Sequence, residues 1–99
     1  GMKVKDIEVG NIYRLTNNEV YPIYSDHHET TEIKVPASNI LVSDKEFMIL
    51  RLERTTTGNK IPITVAQFIT TDGDKLGWII VEFCDETSVN WVENWEKVL

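Results

Sequence analysis

The chain has few cysteines, and this excludes the disulfide frameworks that stabilise many small extracellular domains. Cys84 is the only cysteine among the 99 residues, so no intrachain disulfide can form. It follows Phe83 at the end of an apolar segment, and no histidine lies near it in sequence to act as an activating base. We therefore expect Cys84 to be a small core residue rather than a nucleophile.

Long hydrophobic runs are also lacking. The longest, at 47–50 and 78–81, are far shorter than the roughly 20 residues that a membrane-spanning helix needs. Gly1, which precedes Met2, is interpreted as the remnant of a cleaved tag, and no secretory signal follows it. These features favour a cytoplasmic protein with one domain over residues 2–99, a usual length for a single domain.

Basic residues are outnumbered, which argues against two classes of partner. The chain has 10 Lys and Arg against 16 Asp and Glu, a net charge of −6. Residues 82–96 contain five acidic side chains and no Lys or Arg. Because nucleic acids and anionic membranes attract basic surfaces, neither is expected to bind. The charge favours a protein or peptide partner, in particular a basic one.

Apolar residues alternate with polar ones between short turns, which predicts an all-β domain. The Asp72-Gly73 pair predicts a tight hairpin, because such a turn needs a positive φ. Several strands are apolar on both faces, which favours a small barrel of five to seven strands over a flat sheet. The predicted strands cover 11–16, 20–25, 33–35, 46–54, 61–70 and 76–83.

The C-terminal tail, residues 88–99, fits two structures. Asn90 followed by Glu93 is similar to a helix capping box, and Trp91 and Trp95 would then share one helical face. A strand would also place both tryptophans on one side, since they are four residues apart. We take a short C-terminal helix as the prediction.

One part of the chain resembles bacterial SH3-like domains. Residues 68–79, with the Asp72-Gly73 turn and the Gly77-Trp78-Ile79 return, are similar to the distal hairpin of those domains. Residues 35–38 and 47–50 resemble the preceding turn and apolar strand, so the likeness covers about half of the chain. It implies an SH3-like barrel, and such domains typically bind peptides, cell-wall glycopeptides or other proteins.

Aromatic residues with acidic neighbours predict a binding surface. Trp and Tyr bury a large area at low entropic cost, which is why they are common at the centres of protein interfaces. Trp91 and Trp95 lie in the acidic tail, and Tyr24 precedes a polar loop that contains Glu29 and Glu32. We expect these five residues to bind a protein or peptide, without a cofactor and without catalysis.

Two other functions remain open. The acidic tail and an exposed sheet edge could mediate self-association, as in a structural or accessory protein that forms homo-oligomers. His27 and His28 could instead make a small metal-dependent protein, because histidine is the commonest metal-binding side chain. Adjacent strand residues point to opposite faces, so both could ligate one ion only in an irregular loop. The chain contains no Gly-rich phosphate loop and no Gly-x-Ser-x-Gly motif, and no enzyme is expected.

Overall fold

The computed structural model describes residues 1–25, 40–85 and 89–99. Strands make up 48% of these described residues, the sheets are antiparallel and helix is almost absent among them, which confirms the all-β class. The predicted strand at 33–35 and the polar loop at 26–32 lie outside these residues. After a single 3-10 turn at Val4–Asp6, the strands are β1 (Ile12–Arg14), β2 (Val20–Pro22), β3 (Ile40–Val42), β4 (Glu46–Thr56), β5 (Pro62–Thr70), β6 (Leu76–Phe83) and β7 (Glu96–Lys97).

The strands form two sheets rather than the predicted closed barrel. Five of them pair in the order β6-β5-β4-β1-β7, and β2 pairs with β3. The sheets join at one bridge, where the backbone N–H groups of Tyr24 and Trp78 each donate to the other residue's carbonyl at 2.8 Å. The edge strand β7 has only two residues and pairs with β1 alone within the described part of the chain. The prediction of a closed barrel was therefore wrong for these residues.

Apolar residues occupy both faces of the long strands, as the alternation predicted. Tyr13, Phe47 and Phe68 point to one face, where they form the main core. A second, smaller cluster consists of Tyr24, Ile63, Val65 and Trp78. Because Val65 and Phe68 lie on opposite faces of β5, this sheet is covered on both sides near its β5–β6 edge.

The predicted C-terminal helix is wrong. Residues 90–95 make two successive turns, with Glu93 N–H donating to the Asn90 carbonyl and Trp95 N–H to the Val92 carbonyl, and the chain then enters β7. The open edge of β1 supplies a better set of backbone partners than a further helical turn. Val98 N–H donates to the Ile12 carbonyl, and Ile12 N–H donates to the Leu99 carbonyl. Burial of Trp95 in the main core adds to this preference.

Several turns contain residues with a positive φ, a backbone conformation that favours glycine or asparagine. Asn17 and Asn18 both have a positive φ, of 58° and 57°, which suits the short turn between β1 and β2. Gly73 has φ of 77°, so the positive φ predicted for the Asp72-Gly73 turn is confirmed. Lys60, in the turn between β4 and β5, also has a positive φ, of 62°, without the freedom that glycine would provide.

Replacing Lys60 with glycine is expected to raise the free energy of unfolding by about 0.5–1 kcal/mol. An ordinary side chain in the left-handed region costs about 1–2 kcal/mol, and the greater freedom of glycine in the unfolded chain offsets part of the gain. Lys60 is exposed, so little packing is lost. Urea unfolding measures the change. Lys60→Ala keeps the backbone penalty and should change stability little; a less stable glycine variant would contradict the explanation.

Candidate binding groove

The structure separates the aromatic residues that the sequence grouped together. Trp95 is only 4% exposed and lies in the main core, whereas Tyr24 is 6% exposed and belongs to the second cluster. Trp91 is half-buried and remains in reach of a ligand. The expected positions of Glu29 and Glu32 lie outside the described residues. Of the five predicted binding residues, Trp91 is therefore the one that the structure places on an accessible surface.

Trp95 is held in the core by three aromatic neighbours. Its ring centroid lies 5.1 Å from that of Phe47, 5.7 Å from that of Tyr13 and 5.9 Å from that of Tyr21. Its indole Nε1 donates a hydrogen bond to the Tyr21 hydroxyl at 3.1 Å. Trp95 therefore satisfies its one polar atom inside the protein and acts as a packing residue.

Trp91 lies on the outer side of the group of aromatic rings that surrounds Trp95. Its ring makes edge-to-face contacts with Phe83, at a centroid distance of 4.9 Å, and with Tyr21, at 6.5 Å. The Tyr21 hydroxyl donates to the backbone carbonyl of Trp91, and the Thr16 hydroxyl donates to that of Asn94. These two bonds hold the tail against β2 and the turn that precedes it, so the Trp91 ring has a defined position.

A groove of about 440 Å³ runs between that turn and the tail. One wall comes from residues 17–22 and the other from the segment 90–94. The described lining residues combine an indole ring, a phenol, two aliphatic side chains, three side-chain amides and one carboxylate, and none of them is a Lys or Arg. The residues are Asn17, Glu19, Val20, Tyr21, Pro22, Asn90, Trp91 and Asn94. A mixed aromatic and polar lining of this kind is typical of recognition sites.

Glu19 gives the groove its charge. Its Oε2 lies 3.4 Å from the Tyr21 hydroxyl, whereas its Oε1 is enclosed and accepts no hydrogen bond within the described part of the chain. Desolvation is the larger of two opposing effects and raises the pKa of Glu19, while the Tyr21 hydrogen bond lowers it. Burial similarly raises the pKa of Tyr21. The Glu19 carboxylate therefore places a negative charge in the wall of the groove that Trp91 also lines.

Cys84 has none of the features of an activated nucleophile. Desolvation raises its pKa, and its thiol donates to Glu82 Oε2 at 3.3 Å, a contact that further opposes loss of the proton. His27 and His28 lie outside the described residues, and the residues that are described contain no group of three or more metal-ligating side chains.

Sequence reasoning missed two groove residues. Glu19 was not considered, because a single carboxylate after a polar turn has no distinctive pattern. In a regular strand Tyr21 and Tyr24 would lie on opposite faces, so one of them would be exposed. Both are buried, because each face of this segment packs on a different apolar cluster. Tyr21 nevertheless lines the groove.

The structure contains no helix, in the parts it describes, with the length and apolar character needed to cross a membrane. Comparison with protein-family models, with curated proteins and with solved structures found no match to this chain. The SH3-like resemblance therefore stays a prediction, and the argument about function rests on the geometry of the groove.

Proposed function

We propose that this protein is a non-enzymatic module that binds a basic peptide segment of another protein in the groove beside Trp91. The observation that carries the proposal is that a fixed, half-buried indole ring and a carboxylate line the same groove. The SH3-like assignment from residues 68–79 and a cytoplasmic location belong to the same proposal.

The aromatic wall supplies contact area at little entropic cost. Trp91 is already ordered by Phe83 and Tyr21, so binding need not immobilise a free side chain. Tryptophan is also the best aromatic partner for a cation placed over its ring. The amides of Asn17 and Asn94 can donate to and accept from a peptide backbone along the groove.

The charge of the groove selects the ligand. Glu19 is the one carboxyl among the described lining residues, and the chain as a whole carries a net charge of −6. An acidic peptide would be repelled, and a neutral one would leave the negative charge of the groove uncompensated. A lysine or arginine side chain would satisfy the carboxylate and lie against the indole ring. The proposal therefore favours a basic ligand.

Substitutions in the groove test this function. A binding peptide is first identified on an array of 12-residue peptides. Each peptide has one central Lys or Arg, and a matched version carries norleucine at that position. Calorimetry then gives the affinity of the peptide that binds. Trp91→Ala is expected to weaken binding by about 30-fold, as for a typical aromatic hot spot. Glu19→Gln is expected to weaken binding of the charged peptide by about tenfold while leaving the norleucine peptide unaffected.

The pH dependence and a control variant complete the test. A cation beside Glu19 binds its ionised form, so affinity should rise as the pH increases through the elevated pKa of Glu19 and then level off. Leu76→Ala, at an exposed site at the start of β6 and outside the groove, should bind like the wild type. Unchanged affinity in Trp91→Ala, or a preference for the norleucine peptides, would overturn the proposal.

A further inference from the structure

A second cavity, of about 220 Å³, adjoins the groove at the tail. Asn90 and Trp91 line both cavities, so the two are adjacent at this part of the chain. The other walls of the second cavity come from the N-terminal segment, from β6 and from the residue before Asn90. We call it the valine pocket, and the described residues that line it but not the groove are Lys3, Val4, Val81, Glu82 and Val89.

The part of the tail that the two cavities share is held by hydrogen bonds to two different segments. The Tyr21 hydroxyl, from β2, donates to the Trp91 carbonyl. From the N-terminal segment, Met2 N–H donates to the Glu93 carbonyl at 3.3 Å, and the Met2 carbonyl accepts from Asn90 Nδ2 at 2.7 Å. Asn90 Nδ2 also donates to Glu93 Oε2 at 2.8 Å. A ligand that crosses residues 90–91 therefore meets a surface that is already ordered, which lowers the entropic cost of binding.

Aliphatic side chains give the valine pocket its chemical character. Val81 is fully buried, Val4 is half-buried and Val89 is 69% exposed, so the pocket extends from the main core to the surface. Val81 belongs to the main core and Val4 packs against it. Trp91 adds an aromatic residue to these three. The pocket therefore suits an apolar group of limited size.

The two charged residues of the valine pocket do not favour a charged ligand. Lys3 and Glu82 have opposite signs, so the described lining has no net charge, whereas that of the groove has the negative charge of Glu19. The Glu82 carboxylate also accepts hydrogen bonds from the Thr64 hydroxyl at 2.6 Å and from the Cys84 thiol at 3.3 Å. An uncharged aliphatic side chain gains most from this pocket, because it removes apolar surface from water without disturbing a charge.

We propose that one peptide occupies both cavities: its basic residue lies in the groove, and an aliphatic side chain such as leucine or isoleucine fills the valine pocket. This inference rests on the proposed function and adds a second position that determines specificity. The argument for a single occupant is continuity, because Asn90 and Trp91 contribute to both cavities. Two side chains on one peptide make the second contact intramolecular, so each contact strengthens the effect of the other.

A scan of the binding peptide provides the first test. Leucine and alanine are compared at every position other than the central Lys or Arg, and calorimetry gives the affinities. One position should bind about tenfold more tightly with leucine than with alanine, as expected for a partly buried aliphatic side chain. A peptide that depends on Trp91 and Glu19 but prefers leucine at no position would overturn this inference and leave the proposed function in place.

Threonine substitutions then locate the preferred side chain in the valine pocket. The double variant Val4→Thr, Val89→Thr keeps the shape of both side chains and adds hydroxyls, so leucine and alanine peptides should bind it within about twofold of each other. Val89→Thr alone, at an exposed site, should lower the leucine preference by about threefold. Val9→Thr, at a 59% exposed site outside both cavities, should keep the full preference.

The preference for Lys over norleucine at the central position separates the two cavities. The double variant should retain it, which also shows that the variant is folded. Glu19→Gln should lose the Lys preference and retain the leucine preference, because Glu19 lines the groove and not the valine pocket. A leucine preference that persists in the double variant, or that disappears in Val9→Thr, would overturn the inference.

Discussion

Replacing Trp95 with alanine is expected to lower the free energy of unfolding by about 3–5 kcal/mol, the usual cost of removing a buried tryptophan. Trp95 contacts Tyr13, Tyr21 and Phe47, so its removal leaves a cavity lined by three aromatic rings. The Tyr21 hydroxyl also loses the hydrogen bond from the indole N–H. For a domain of this size the melting temperature should fall by about 15 °C or more.

Two further substitutions resolve the contributions to that loss. Trp95→Phe retains an aromatic ring and removes the N–H donor, and it should cost roughly 1–2 kcal/mol. Trp91→Ala removes a half-buried ring from the same tail and should cost about 1–2 kcal/mol, because less area returns to water. Urea unfolding followed by circular dichroism avoids dependence on tryptophan fluorescence. Equal losses for Trp91→Ala and Trp95→Ala would contradict the assignment of Trp95 to the core and Trp91 to the groove.

Replacing Gly77 with alanine is expected to cost about 2–4 kcal/mol, although only one methyl group is added. The new Cβ would collide with the Ile23 Cγ2 atom and would lie 2.8 Å from the Tyr24 carbonyl oxygen. That oxygen accepts the Trp78 N–H in the bridge that joins the two sheets. A backbone atom cannot rotate away, so the crossing segment must shift, at the upper end of the usual cost of overpacking.

Gly73→Ala is the matched control for this substitution. Gly73 has a positive φ, but an added Cβ meets no atom within 4 Å, so the expected cost is about 1 kcal/mol from backbone strain alone. Thermal unfolding of both variants gives the comparison. If Gly77→Ala were as stable as Gly73→Ala, the close approach of residues 23–24 to β6 would not be what requires glycine at position 77.

Gly77 lies in the segment that resembles SH3-like domains, and the structure shows why glycine is needed there. The predicted return strand is confirmed, because β6 begins at Leu76. The local pattern does not show that another segment crosses at that point. The need for glycine arises from Ile23 and Tyr24, more than fifty residues earlier in the chain. Contacts at such a separation leave no trace in the local pattern of either segment.

In the candidate groove, too, the local sequence pattern predicted only part of what the structure shows. Aromatic content and acidic charge led to Trp91, and they led equally to Trp95 and Tyr24, which are buried. Tryptophans four residues apart are equivalent in any regular helix or strand. They differ here because residues 90–95 form turns, after which β7 pairs with β1 and directs Trp95 inward. Which of the two aromatic rings meets solvent therefore depended on where the tail docks.

The sequence by itself determined the properties that depend on local periodicity and composition: the all-β class, the long strands β4 to β6, the positive φ at Gly73 and the two apolar faces of the sheet. These follow from alternation and turn chemistry within short segments. The tertiary structure alone decided that the described strands form two sheets, that the tail makes turns before the short strand β7, and that Glu19 and Trp91 line one groove. Each of these is set by strand order and register, which bring distant residues together and which no short segment encodes.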